Sequence, residues 1–192
     1  MAVKVESGKM TSRPFSLLAI PYYAWCNRGP AEMNVWLPRT LEKATPVPSP
    51  SIAAESSIRV SHVWEQDTGE AMNDQVCPKN SNDHDVPRFT WWDHRGTGEW
   101  AQYDFAKPMK PSSVELYWFD DTGRGQCRVP ERWKLLYKAG DSWKPVEGAS
   151  DYGVKKDQFN KVTFNAVETG GMRVEVQLQK DFSGGILEWK VE

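Results

Sequence analysis

The sequence predicts an all-β protein, an antiparallel β-sandwich, on three observations. Apolar residues recur with period two in short segments, clusters of Gly, Pro, Asp and Asn separate those segments, and no stretch carries convincing amphipathic-helix spacing. The 10 Trp, 7 Phe and 6 Tyr among 192 residues supply large side chains that bury wide areas and also stack on flat ligands.

Each segment can be assigned a face, because side chains alternate across a strand. WAQYDF puts Ala101, Tyr103 and Phe105 on one side, and SVELYWF sets Val114, Leu116 and Trp118 against Glu115, Tyr117 and Phe119. RWKLLYK aligns Trp133, Leu135 and Tyr137, while KVTFNAV groups Val162, Phe164 and Ala166. MRVEVQL sets Met172, Val174, Val176 and Leu178 opposite Arg173, Glu175 and Gln177, and ILEWKV closes with Leu187, Trp189 and Val191 together. Trp118, Trp133 and Trp189 therefore read as core.

Upstream, residues 14–39 hold two apolar runs split by Asn27, Arg28, Gly29 and Pro30, a turn cluster between two candidate strands. Two strands alone do not hold a stable core. TLEKATPVPSPSIAAESS follows, with Pro46, Pro48 and Pro50 among Ser and Ala, and reads as an extended linker. The division expected is a β-segment over 1–39, a linker over 40–57 and a sandwich over 58–192.

Charge and hydropathy narrow the partners. With 24 Lys and Arg against 26 Asp and Glu, the net charge of −2 is too balanced for a nucleic-acid footprint. No run approaches the roughly 20 apolar residues of a membrane span, so neither nucleic acid nor membrane is expected. MAVKVESGKM lacks the apolar core of a secretory signal, which leaves the localisation of any longer parent protein open. Cys26, Cys77 and Cys127 are widely spaced and odd in number, so free thiols are expected ahead of one incidental disulfide. His62 and His84 show no paired ligand spacing, which argues against a transition-metal site.

Two long strings carry family resemblances. IPYYAWCNRGPAEMNVWLPR, from Ile20 to Arg39, resembles the C-terminal β-segment of glycoside hydrolase family 127, the β-L-arabinofuranosidase-like proteins. From about Ser57 to Val191, NDHDVPRFTWWDHRGTGEWAQYDF, ELYWFDDTGRGQCRVPERWKLLY and GGILEWKV resemble the galactose-binding-like, discoidin-type module, a jelly-roll sandwich appended to such hydrolases. The first resemblance implies a catalytic (α/α)-barrel ahead of this chain, with a zinc-held cysteine nucleophile. No string here matches that cysteine-rich motif, and Cys26 stands where the family string is expected to have a small residue. Met1 would then open only the C-terminal part of such a protein. The second resemblance implies a structural calcium ion between an early loop and the last strand, carried over to Asp74 in EAMNDQV and to Glu188. The family string often has Gly after this Asp, where Gln75 stands here.

Candidate sugar contacts cluster in two loops. In FTWWDHRGTGEW, consecutive Trp91 and Trp92 face opposite ways on an extended segment, so a core position for one exposes the other to a sugar ring unless both pack. His94 offers a directional hydrogen bond, or is an ordinary surface residue. In FDDTGRGQCRVP, Asp120 and Asp121 either accept sugar hydroxyls or shape a turn. Arg124 and Arg128 present guanidinium forks to vicinal hydroxyls or a uronate carboxylate, or pair with those aspartates. Phe182, before two glycines, either caps the same surface or plugs the end of the sandwich. Independent glycoside hydrolysis usually needs two carboxyl groups facing each other across roughly 5 to 9.5 Å, and adjacent Asp120 and Asp121 point apart on a strand. The expected function is a non-catalytic carbohydrate-binding accessory module that holds a plant or microbial glycan near a catalytic hydrolase domain. Its rival is a module that packs against the hydrolase barrel and binds no sugar.

Overall fold

The alternating segments pair into antiparallel sheets in the computed structural model, which describes Ala2–Val3, Val35–Trp36 and residues 51–192. The chain divides into two units, Met1–Val47 and Pro48–Glu192. In the first, β1 (Ala2–Val3) and β2 (Val35–Trp36) form a short antiparallel ladder, Ala2 opposite Trp36 and Val3 opposite Val35. The remainder of the candidate hairpin over 14–39, with Cys26, lies outside the described residues.

The second unit is a two-layer sandwich. One sheet has the order β3-β5-β10-β7-β8, from β3 (Ser57–Val60), β5 (Gly98–Met109), β7 (Arg132–Ala139), β8 (Ser142–Pro145) and β10 (Thr169–Gln177). The other has the order β4-β11-β6-β9, from β4 (Phe89–Thr90), β6 (Ser113–Phe119), β9 (Phe159–Thr163) and β11 (Gly185–Val191). All pairings within both sheets are antiparallel. Among the described residues the one helical element is a 3₁₀ turn at Gly69–Met72, opened by Thr68, whose side chain accepts the Glu70 N–H.

The core between the sheets holds the inward residues of the alternating segments: Ala101 and Tyr103, Val114, Leu116 and Trp118, Trp133 and Leu135, and Met172 to Leu178 at every second position. The indole N–H groups of Trp118 and Trp133 donate to one carbonyl, that of Gly153, at 3.2 and 2.8 Å. This meets the requirement that a buried indole find an acceptor. Tyr103 stacks on Trp189 with centroids 4.0 Å apart, and its hydroxyl donates toward the carbonyls of Met72 and Trp189.

The structure departs from the expected pattern in three places. A bulge in β11 shifts the register between Ile186, opposite Trp118, and Glu188, opposite Tyr117. Two residues then face one partner, so Leu187 leaves the face of Trp189 and Val191 and joins Tyr117 and Phe119 on the outer side, while Ile186 enters the core. In KVTFNAV, strand β9 ends at Thr163, which leaves Ala166 exposed and turns Val167 to the core instead. The stretch 51–56, expected to be linker, packs: Ala53 is buried and Ile52 lies against the core.

The two outer faces differ. That of the five-stranded sheet is polar, with the Arg173 guanidinium between the rings of Trp100 and Trp143 at 4.4 and 4.5 Å and held by the Gln102 side-chain oxygen. That of the four-stranded sheet is apolar: Tyr117, Phe119, Cys127 and Leu187 are buried there, with Val86, Trp92 and Phe159 against them. Replacing Leu135, which is fully buried, by Ala should cost about 2–5 kcal/mol in urea unfolding. Val63→Ala, at a residue 37% exposed, should stay within about 0.5 kcal/mol in the same experiment.

Candidate functional site

The apolar outer face of the four-stranded sheet needs a cover, and the covering segments build the site. The loop between β3 and β4 brings Trp64, His84 and Arg88 over Phe119, the last residue of β6. The loop after β6 folds back from the other side and contributes Asp121, Arg124, Gly125, Gln126 and Cys127. Thr90 and Trp92, at and just beyond β4, complete the lining of a cavity of about 330 Å³.

The second loop is fastened by its two aspartates. Asp120 Oδ1 accepts the Thr122 N–H at 3.0 Å and hydroxyl at 2.5 Å, and Oδ2 accepts the Val129 N–H at 3.1 Å. Burial raises this carboxyl, but the Thr122 and Val129 hydrogen bonds, with Lys156 at 3.7 Å, outweigh it and hold the pKa below the ordinary value. Asp121 Oδ1 accepts the Cys127 N–H at 2.8 Å, and its main chain takes the N–H groups of Arg124 and Gly125. Gly125 sits directly against the Asp121 carboxylate, where a β-carbon would collide with Oδ2. Cys127 is a buried free thiol, raised to about 12 by burial and then by the charges of Asp121 and Asp67, and so is a packing residue at neutral pH. Cys77 is free and exposed.

The first loop is held by an ion pair. Arg88 Nε donates to Asp67 Oδ1 at 3.1 Å, with the carboxylate almost fully buried, and Thr90 donates its hydroxyl to the other oxygen. Arg88 Nη1 points at His84 Nδ1, 2.7 Å away. A guanidinium only donates, so Nδ1 is bare and the proton sits on Nε2, which donates to Asn82 Oδ1 at 2.9 Å. His84 is thereby kept as the neutral Nε2–H tautomer. Burial, then the charges of Arg124 and Arg88, lower its pKa, against weaker pulls from Asp121 and Asp83. The ring meets Phe119 edge-on at 5.4 Å.

Of the residues expected from sequence, Trp92, Asp121 and Arg124 converge on this cavity. Trp92 carries the Arg95 guanidinium over its ring at 4.6 Å, while Arg124 is exposed and its side chain has no hydrogen-bond or ion-pair partner among the described residues. Trp91 goes elsewhere: it is fully buried in the core, edge-on to Phe89, which removes it from any sugar-facing surface. Asp120 lines a separate polar cavity of about 430 Å³ with Asn80, Ser81, Asn82, Thr122, Lys156 and Asp157. Arg128 spends Nη1 on the carbonyls of Cys127 and Gly125 and on Asp121, and it lies over Phe182 at 4.4 Å, so these two cap each other. His94 Nδ1–H donates to Glu99 Oε1 at 2.6 Å, and the ring stacks on His62 at 3.9 Å, also outside the cavity lining. Trp64, Arg88 and Phe119 were not singled out from sequence.

Asp74 and Glu188, far apart in sequence, are neighbours in the fold. Glu188 is 1% exposed, and its Oε2 is buried without a hydrogen-bond partner. Burial, then the Asp74 charge, push its carboxyl up to about 8, with Lys190 and the Gln75 N–H pulling the other way. Asp74 Oδ1 accepts the Val76 N–H at 2.8 Å. Gln75 has φ 63°, the left-handed conformation that a Gly at this position would favour. The donor set is oxygen only, which fits a hard cation and not zinc. Among the described residues no cluster of three or more His, Cys, Asp or Glu is poised for a metal ion.

Comparison with known proteins decides the architecture. Residues 2–38 match the family model of the glycoside hydrolase family 127 C-terminal domain. A structure from the Streptococcus pneumoniae β-galactosidase BgaA superposes with TM-score 0.61 at 16% identity, over 71% of this chain and 90% of that one. The family 32 CBM from C. perfringens NanJ in complex with galactose gives 0.56 at 13% identity, over 73% and 95% of the two chains. The sandwich has the galactose-binding-like fold of a family 32 CBM. Chitosan-binding module 2 in complex with chitotriose, from a chitosanase/glucanase of Paenibacillus sp. IK-5, gives 0.52 at 15% identity, over 73% and 98%. In this galactose-binding-like sandwich the jelly-roll expectation holds.

Because the Asp120 pKa is depressed from its ordinary 3.8, its stabilisation is full above that value and is lost as pH falls through the folded pKa. Asp120→Ala should therefore cost about 1–3 kcal/mol at pH 7. The gap from the parent protein in denaturant unfolding should narrow progressively below pH 4.

Proposed function

We propose that residues 51–192 are a non-catalytic carbohydrate-binding accessory module and that the cavity between the β3–β4 and β6–β7 loops is its sugar site. The observation that carries this reading is the convergence of three aromatic residues, Trp64, Trp92 and Phe119, with Arg88, Arg124 and neutral His84 around a space of sugar size. Aromatic walls take the C–H faces of a sugar, and the guanidinium N–H groups left free meet its oxygens. The likeness to a galactose-bound family 32 CBM and a chitotriose-bound module supports a glycan ligand. The family 127 match over residues 2–38 supports a hydrolase as the covalently attached partner. A plant or microbial glycan held there would raise its effective concentration at a catalytic domain. The alternative, a module that only packs on a barrel, calls for a broad apolar patch. Among the described residues the large hydrophobic side chains left exposed are Val63 and Val76.

Titration calorimetry against arabinans, galactans and pectic fragments should give saturable binding to at least one of them. Trp92→Ala and Trp64→Ala should each weaken it by about tenfold or more, in line with roughly 1–3 kcal/mol for a lost stacking partner, with circular dichroism unchanged. Absence of binding by the folded parent protein would leave the packing module as the better reading.

A structural calcium ion at Asp74 and Glu188 is part of the same proposal. Their carboxylates would hold the ion, with backbone oxygens of the Asp74 loop completing the shell, and the ion would tie that loop to β11. In its absence Glu188 is raised from 4.5 to about 8, so its contribution to stability is full below pH 4.5 and is lost as pH rises through about 8. Calcium should therefore raise the melting temperature more at pH 8 than at pH 5, and EDTA should reverse the gain. Glu188→Gln should abolish the calcium response while melting higher than the calcium-free parent at pH 8.

A further inference from the structure

The charges around the cavity do not cancel. Arg88 is neutralised by Asp67, which lies beneath it and takes its Nε–H. Asp121, the one carboxylate in the lining, is 3.4 Å from Arg128 and gives Oδ1 to the Cys127 N–H. His84 is neutral, its Nδ1 occupied by Arg88. Arg124 remains: it lines the cavity, is exposed, and its guanidinium has no partner among the described residues. Arg124 is thus the unpaired cation in the lining of a space walled by Trp64, Trp92 and Phe119, and Arg95 adds positive charge over the Trp92 ring. Its charge, with that of Arg88, adds to burial in lowering the His84 pKa.

Resting on the sugar-binding reading above, we infer that this site prefers a sugar carrying a carboxylate, a hexuronic acid, and that Arg124 is the residue that sets the preference. A guanidinium offers two parallel N–H donors at the spacing of the two carboxylate oxygens, a match that a neutral hydroxymethyl group does not provide. Asp121 keeps Oδ1 on the Cys127 N–H and on Arg128, so that oxygen does not compete for Arg124, and Arg128 at 3.4 Å offsets its charge. The arginine sits on the rim, so the interaction is screened by salt while aromatic stacking is not.

The test compares galacturonic acid, its methyl ester and galactose by titration calorimetry on the full chain at 20 mM and 300 mM NaCl, with the parent protein and Arg124→Gln. The ester has the shape of the acid and no charge. The acid should bind the parent at least about tenfold tighter than the ester at low salt, the advantage should shrink at high salt, and Arg124→Gln should bring the acid-to-ester ratio to about one. Equal affinity of acid and ester for the parent, or a ratio unchanged in Arg124→Gln, overturns the inference and leaves the sugar-binding reading standing. If no acid, ester, galactose or polymeric glycan binds the folded parent, that reading falls and the inference with it.

Discussion

Two strands of this sandwich, β6 and β11, are buried on both faces, and the rest of the structure follows from that constraint. In an ordinary two-layer sandwich each sheet has one face on the core and one in water. Here the inner faces of β6 and β11 bring Leu116, Trp118, Ile186 and Trp189 to the core, while their outer faces present Tyr117, Phe119 and Leu187. An apolar outer face must be covered, and the long loop between β3 and β4 does so. The site is the seam where that cover meets the loop after β6.

The bulge at Leu187 makes double burial possible. By setting two residues against one partner it sends Leu187 to the outer cluster and brings Glu188 to lie opposite Tyr117, beneath the Asp74 loop. A carboxylate placed there, with one oxygen lacking a partner, is costly in isolation. Such a group is tolerated when a proton or a cation compensates it, and its raised pKa records the first of these. The loop that hides the outer face is held by the Asp67–Arg88 ion pair.

The polar groups at the seam fall into two sets. Asp67, Asp120, Asp121 and Arg128 make bonds within the loops and shape them. Trp64, Trp92, Arg88, Arg124 and His84 face the cavity. Arg88 belongs to both sets, since Asp67 and His84 hold it in place while it lines the space between Trp64 and Phe119. Arg88 is therefore preorganised by its partners, whereas Arg124 is not.

How far a residue could be read in advance depended on whether its fate is local. Period-two alternation is a property of the strand itself, so the core positions of Ala101 and Tyr103, of Val114, Leu116 and Trp118, of Trp133 and Leu135, and of Met172, Val174, Val176 and Leu178 are legible in the sequence. The early termination of β9 before Ala166 and the bulge at Leu187 escaped that reading, because both depend on the partner strand. The opposite facing of Trp91 and Trp92 was legible, but which of them enters the core depends on what packs from above, and Phe89 and the sandwich interior took Trp91. Likewise Arg124 and Arg128 look alike in the string GRGQCR, yet one reaches into open space and the other is spent on its own loop. Local periodicity and aromatic content are enough to set the fold class and the inner face of most strands. The cavity is a product of long-range packing, because Trp64, His84 and Arg88 meet Phe119 and Arg124 through a loop whose path is dictated by the apolar face it has to cover.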